Sequence, residues 1–219
     1  MVFTDSSNPG LGLLAHSARV AAVSEAVAEM IGRSAREAML VGAAALFHDV
    51  GKLHVPLKVL LKPSALDDDE WRAIVRHPEM GGYLLETIGG DFGRMAAGVA
   101  RWHHEAFNGG GYPDGLAGME IPMEAQLVGV CDAYDALRSR RAYKGERTHL
   151  DAVSVLTKGD DRLPVGRFNP LLVEVINDCG PRVSAAWDCA SLKLLSRQMA
   201  NPLSHVLGSE ALDERHPIS

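Results

Sequence analysis

The stretch 44-AALFHDVGKLHVP-56 does most to limit what this chain can fold into. It reads as the small-residue, apolar end of a helix that delivers His48 and Asp49 side by side and is then broken at Gly51 and Lys52. Adjacent His and Asp at the mouth of a buried helix are poor packing material. They are good ligands for a divalent transition metal, and one carboxylate can bridge two ions. A single such pair says little. Its weight comes from the His and Asp residues that recur along the chain.

The flanking pattern is helical. Residues 11–31 place His16, Val20, Val23, Val27 and Met30 on one 3–4-spaced face, so His16 points inward with the valines. By itself it reads as a core histidine with a local hydrogen bond. Ser34 with Glu37 forms a capping box for a helix running to His48 and Asp49, and Gly42 to Ala45 let another helix approach closely. Asp67 and Glu70 cap a further helix through Trp71 and Ile74. His77 precedes Pro78 and so sits at a helix start.

A helix over 91–105 ends in 102-WHHE-105. Consecutive helical residues point about 100° apart, so His103 and His104 are expected to serve two neighbouring ions rather than one. The glycine-rich run 108-NGGGYPDGLAG-118 can be neither helix nor core strand and reads as a shaped loop that approaches a ligand or partner. The segment 126-QLVGVCDAYDAL-137 places Asp132 and Asp135 on one face of an apolar helix. Buried carboxylates need partners, and a metal is the simplest. The basic run 138-RSRRAYKGER-147 follows, either as a solvated turn or as a patch for phosphate. Short helices are expected at 148–157 and 168–178, and an amphipathic helix over 185–200.

Seven ligand candidates, His16, His48, Asp49, His77, His103, His104 and Asp132, exceed the needs of one tetrahedral zinc. They suit two octahedral ions that share a carboxylate, with iron or manganese favoured and zinc, nickel and magnesium left open. Paired metals favour attack of a bridging hydroxide on phosphorus.

With those motifs in place, the sequence resembles the HD-GYP family, a branch of the HD-domain phosphohydrolases. The resemblance spans about residues 11–178 through 16-HSARV-20, 48-HDVGK-52, 77-HPEMG-81, 103-HHEAFNGGGYP-113, 132-DAYDALRSRRAYK-144 and 168-FNP-170. It implies an all-α fold, a helical bundle of the HD-domain type with a GYP signature loop. It also implies hydrolysis of cyclic di-GMP to pGpG or GMP. By the resemblance, His48, His77, His103, His104 and Asp132 are metal ligands, Asp49 bridges the metals, and His16 matches the family's first histidine. Lys52 lies beside the hydroxide and the scissile phosphate. Gly111, Tyr112 and Pro113 form the signature loop, while Arg141 and Lys144 hold the substrate's phosphate or guanine. Some members carry a glutamate four residues before the first histidine for a third metal. Gly12 stands there in this chain, so two metals are expected.

Composition sets outer bounds. The 219 residues, 47% hydrophobic and 5% aromatic, fit packed helices, with an HD-GYP domain over 1–178 and a C-terminal helical extension over 179–219. A net charge of -6 argues against a general nucleic-acid surface. No run of 18 apolar residues suggests a membrane span. Three cysteines without CxxC spacing read as reduced thiols, which places the chain in the cytoplasm. Two rival functions are an HD phosphohydrolase acting on another nucleotide, and a non-catalytic module that binds cyclic di-GMP or docks a signalling partner through 108–118. Homodimerisation is left open.

Overall fold

In the computed structural model, residues 9–139 and 147–200 are described, with side chains over 12–139 and 147–192. Helix α1 (Pro9–Met30) sends Val20, Val23 and Val27 into the core, where all three are wholly buried. The 3–4 spacing that aligns them also turns His16 inward.

Around α1 pack α2 (Ala35–Leu46), α7 (Met123–Arg138) and α10 (Gly180–Ala200). The pair α5 (His77–Glu86) and α6 (Gly90–Trp102) closes the bundle against α2 and α7. Short helices α3 (Leu57–Leu60), α4 (Asp68–Val75), α8 (His149–Lys158) and α9 (Pro170–Asp178) complete it, with 3-10 turns at Val50–His54 and Gly118–Glu120. Among the described residues there is no strand, as an all-α chain requires. No helix among them is long and apolar enough to cross a membrane.

The local chemistry accounts for the element starts. Ser34 accepts from the Glu37 amide at 3.3 Å while the Glu37 carboxylate accepts from the Ser34 amide at 2.9 Å. Asp67 and Glu70 repeat that exchange at α4. These boxes satisfy amides that a helix start leaves without partners.

Most of α7 is buried, including Leu127, Val128, Val130, Cys131 and Tyr134. Its acids therefore lie inside the bundle. The segment beyond 178, expected as an extension, packs along α1 through α10, with Val183 and Trp187 joined to the common core.

Candidate metal centre

Three turns at the same end of the bundle converge. Helix α2 ends at Leu46, so His48 and Asp49 stand in a turn just beyond it, and Val50–His54 follows as a 3-10 turn. Gly51 makes the convergence possible. A Cβ there would lie 1.9 Å from the His77 carbonyl oxygen and 2.6 Å from the Gly81 amide, so only glycine lets the two turns touch. His77 opens α5, and His103 and His104 follow the end of α6.

Asp49 lies at the junction. Its Oδ1 is 3.2 Å from His77 Nε2 and 3.8 Å from His103 Nε2. Its Oδ2 is 3.4 Å from His48 Nε2 and 3.8 Å from His16 Nε2. Two groups of candidate ligand atoms result: Asp49, His77, His103 and His104, and His16, His48 and Asp49. They share only Asp49. Asp132 Oδ1 adds to the second, 3.2 Å from His16 Nε2 and 4.0 Å from His48 Nε2.

The ring orientations are fixed from outside. His48 Nδ1 donates to the Ala45 carbonyl at 2.7 Å, His77 Nδ1 to Ile74 at 2.6 Å, and His103 Nδ1 to Ala100 at 2.9 Å. His16 Nδ1 donates to Asp135 Oδ2 at 2.7 Å. In the neutral form of each ring this places the hydrogen on Nδ1 and leaves the Nε2 lone pair facing inward. Among the described residues, Asp49 Oδ1, Asp132 Oδ1, His77 Nε2 and His103 Nε2 are buried without a hydrogen-bond partner. Buried polar atoms are seldom left unpaired. Several acceptors aimed at one place, drawn from His and Asp, fit divalent cations.

Electrostatics agree. Burial pushes His103 down to about 3, with the neighbouring His48 and His77 adding to the effect, and burial likewise holds His104 well below the ordinary range. Both rings therefore stay neutral, as ligands must. Burial works against charge on Asp49, yet Lys52 and His48 hold its carboxyl well below the usual range. Lys52 Nζ pairs directly with Asp49 Oδ2. At His16, burial is overcome by Asp132 and Asp135, which push the imidazole up to about 10. A cation and that proton compete for Nε2.

The expectation that His103 and His104 serve two ions is corrected. It assumed a helix through residue 105, whereas α6 ends at Trp102. His103 keeps its helical bond to the Val99 carbonyl while His104 lies beyond the helix, and the two rings come 4.1 Å apart with ligand atoms in one candidate group. Asp135, expected as a buried acid in need of a partner, finds its partners in the protein: its oxygens take Arg19 Nε at 2.6 Å, Trp187 Nε1 at 2.7 Å and the His16 ring.

The glycine-rich loop closes the site from the α6 side. Tyr112 stacks on His104 with ring centroids 4.9 Å apart and planes 24° apart. A Cβ on Gly111 would lie 2.2 Å from the Ala106 amide nitrogen, so glycine lets the loop fold onto the segment after the paired histidines. Pro113 follows Tyr112 through a cis peptide bond. Glu105 accepts from the Asp114 and Gly115 amides at 2.7 and 3.0 Å, and Asp114 is held by Arg101 and by Trp102 Nε1. Arg141 and Lys144 lie outside the described residues.

Sequence reasoning missed the roles of Arg19, Glu105 and Trp187. Arg19 carried a signal, since it stands one turn after His16. Glu105 adjoins the paired histidines, but nothing local shows that it accepts loop amides. Trp187 is 52 residues from Asp135, and nothing in the pattern links them.

The HD domain family model matches residues 7–164. The chain belongs to the HD-domain family. The motifs 48-HDVGK-52 and 103-HHEAFNGGGYP-113 place this HD domain in the HD-GYP branch. It is 41% identical over 165 residues to the cyclic di-GMP phosphodiesterase response regulator RpfG of Xanthomonas campestris pv. campestris, covering 75% of this chain and 43% of that protein. It is 35% identical over 162 residues to 3'3'-cGAMP-specific phosphodiesterase 2 of Vibrio cholerae, covering 74% of this chain and 30% of that one. The HD domain thus spans less than half the length of either relative. Among solved structures, the HDG"Y"P protein Bd1817 of Bdellovibrio bacteriovorus shares the fold, with a TM-score of 0.61 at 23% identity over 78% of this chain and 53% of that one.

Proposed function

We propose that the chain is a metal-dependent phosphodiesterase that opens cyclic di-GMP to linear pGpG or GMP. One observation carries the reading: the two oxygens of Asp49 each face a different set of inward-turned histidines. Asp49 with His77, His103 and His104 would hold one divalent ion, and Asp49 with His16, His48 and Asp132 would hold a second. Iron and manganese fit this donor set best. When bound, such a pair supplies an activated water and positive charge for phosphoryl transfer.

The chain's own residues do the rest. Lys52 is 6% exposed and paired with Asp49. Its ammonium offsets charge that grows on the phosphoryl oxygens. Outer hydrogen bonds hold the ligand rings in place before substrate arrives, which removes a reorganisation cost. Tyr112, stacked on His104, forms the wall beside the metals and with Gly111 and Pro113 shapes the substrate's berth. Arg141 and Lys144 supply positive charge for a dianionic substrate, in spite of the acidic whole. The named activities of RpfG and the cGAMP phosphodiesterase support a cyclic dinucleotide as substrate.

The test combines metal analysis with chromatography of cyclic di-GMP and 3'3'-cGAMP reactions, using protein loaded anaerobically with iron or with manganese. About two ions per chain, with cyclic di-GMP hydrolysis that vanishes in Asp49→Ala, is the expected result. Preference for 3'3'-cGAMP would change the substrate assignment. Metal without turnover of either would overturn the cyclic dinucleotide reading, and nucleotide binding without metal would make the chain a receptor.

A further inference from the structure

Trp187 reaches the metal centre from the far end of the chain. It stands on α10, beyond the residues matched to the HD domain. Its indole Nε1 donates to Asp135 Oδ1 at 2.7 Å, and Asp135 is 1% exposed. The same oxygen accepts Arg19 Nε at 2.6 Å. The other oxygen accepts His16 Nδ1 at 2.7 Å, with Arg19 at 3.2 Å and the Ser139 hydroxyl at 3.3 Å. Three helices, α1, α7 and α10, thus meet on one carboxylate.

The two donors on Oδ1 fix the carboxylate plane, and that plane aims Oδ2 at the His16 ring. The ring in turn aims Nε2 at the space bounded by Asp132 Oδ1 at 3.2 Å, His48 Nε2 at 3.3 Å and Asp49 Oδ2 at 3.8 Å. Outer partners of metal-bound histidines set ring orientation and ligand basicity. Without the indole N–H, Oδ1 keeps only the Arg19 donor, and the carboxylate loses the bond that ties it to α10.

We propose that Trp187 is a positioning residue for His16, acting through Asp135, so that α10 sets how firmly the His16, His48, Asp49 and Asp132 side of the centre holds its cation. The proposal rests on the two-cation reading above. It concerns one side only: the ring nitrogens of His77 and His103 that face outward bond to carbonyls of residues 74, 99 and 100, none of which is on α10.

Trp187→Phe isolates the effect. Arg138 lies 4.4 Å and Arg19 5.5 Å from the Trp187 ring, and a phenyl ring keeps a face for both while losing the N–H. Manganese is titrated into the full chain and bound ions are counted by elemental analysis and electron paramagnetic resonance. Wild type should bind two ions. Trp187→Phe should bind one as tightly as wild type and the other about 10-fold more weakly. Two ions held at wild-type strength in Trp187→Phe would overturn the proposal alone. Fewer than two in wild type would overturn the two-cation reading and the proposal with it.

A second measurement needs no variant to fold. In 15N-indole spectra of wild type titrated with zinc, the Trp187 signal should move as the second ion binds. The indole of Trp71, an exposed residue on α4, serves as the internal control. A Trp187 signal that stays in place through the second equivalent would overturn the proposal.

Discussion

Asp49 Oδ1 and His77 Nε2 face each other at 3.2 Å, both buried and, among the described residues, neither with a hydrogen-bond partner, while the other ring nitrogen of His77 is committed to the Ile74 carbonyl. Two buried acceptors at that distance repel. A cation between them turns repulsion into two bonds. The folded state should therefore be more stable with metal than without it. At a free metal concentration about 100 times the dissociation constant, binding adds about 2.7 kcal/mol. For a chain of this size that is a rise in Tm of roughly 5–10 °C. Calorimetry with manganese and then with a chelator checks it. Equal melting temperatures would sink the claim that these acceptors await a cation.

Lys52→Ala should separate metal binding from catalysis. Lys52 pairs with Asp49 but belongs to neither ligand group. Bound cations can compensate the Asp49 charge once the ammonium is gone, so metal content should hold near the wild-type value. Losing one fixed positive charge at the reacting phosphoryl group should lower kcat by about 10²–10³-fold. The check is kcat measured on samples whose metal content has been verified. Unchanged turnover would remove Lys52 from the catalytic machinery.

Ser34→Ala tests whether stability and site geometry are separable within α2. The cap lies at the opposite end of that helix from His48 and Asp49. Its loss frees the Glu37 amide and should lower Tm by about 2–4 °C. Metal stoichiometry and turnover per folded molecule should not change. A drop in both would mean that fraying at the cap travels the length of α2 to the ligands.

The candidate ligand positions could be picked out in the sequence because each stands at a helix end or on an apolar helical face, where polar and acidic side chains have few structural uses. Val20, Val23 and Val27 fixed the inward face of α1, and with it the direction of His16. The sharing of His103 and His104 was not legible. It depends on α6 stopping at Trp102, and helix ends are set by tertiary contacts as much as by local sequence. Asp135 was visible as a buried acid needing a partner, but spacing could not choose between a cation and an Arg19–His16–Trp187 clasp. That choice required knowing that α10 returns to α1.

Gly111→Ala should damage substrate handling while sparing the metals. A methyl group there would lie 2.2 Å from the Ala106 amide and 2.4 Å from Glu105 Cα, both backbone atoms that cannot give way cheaply. The loop must shift outward, which pulls Tyr112 off the His104 face and strains the two bonds from Glu105 to the Asp114 and Gly115 amides. The ligand rings of His16, His48 and His77 are braced by other segments, so at least those metal contacts should persist. A displacement of about 1 Å at a substrate-positioning element can cost 10²-fold in rate. The expected result is about two ions per chain with kcat/KM for cyclic di-GMP lowered by roughly 10²-fold. Wild-type kcat/KM in this variant would show that the glycine-rich loop has no part in positioning substrate.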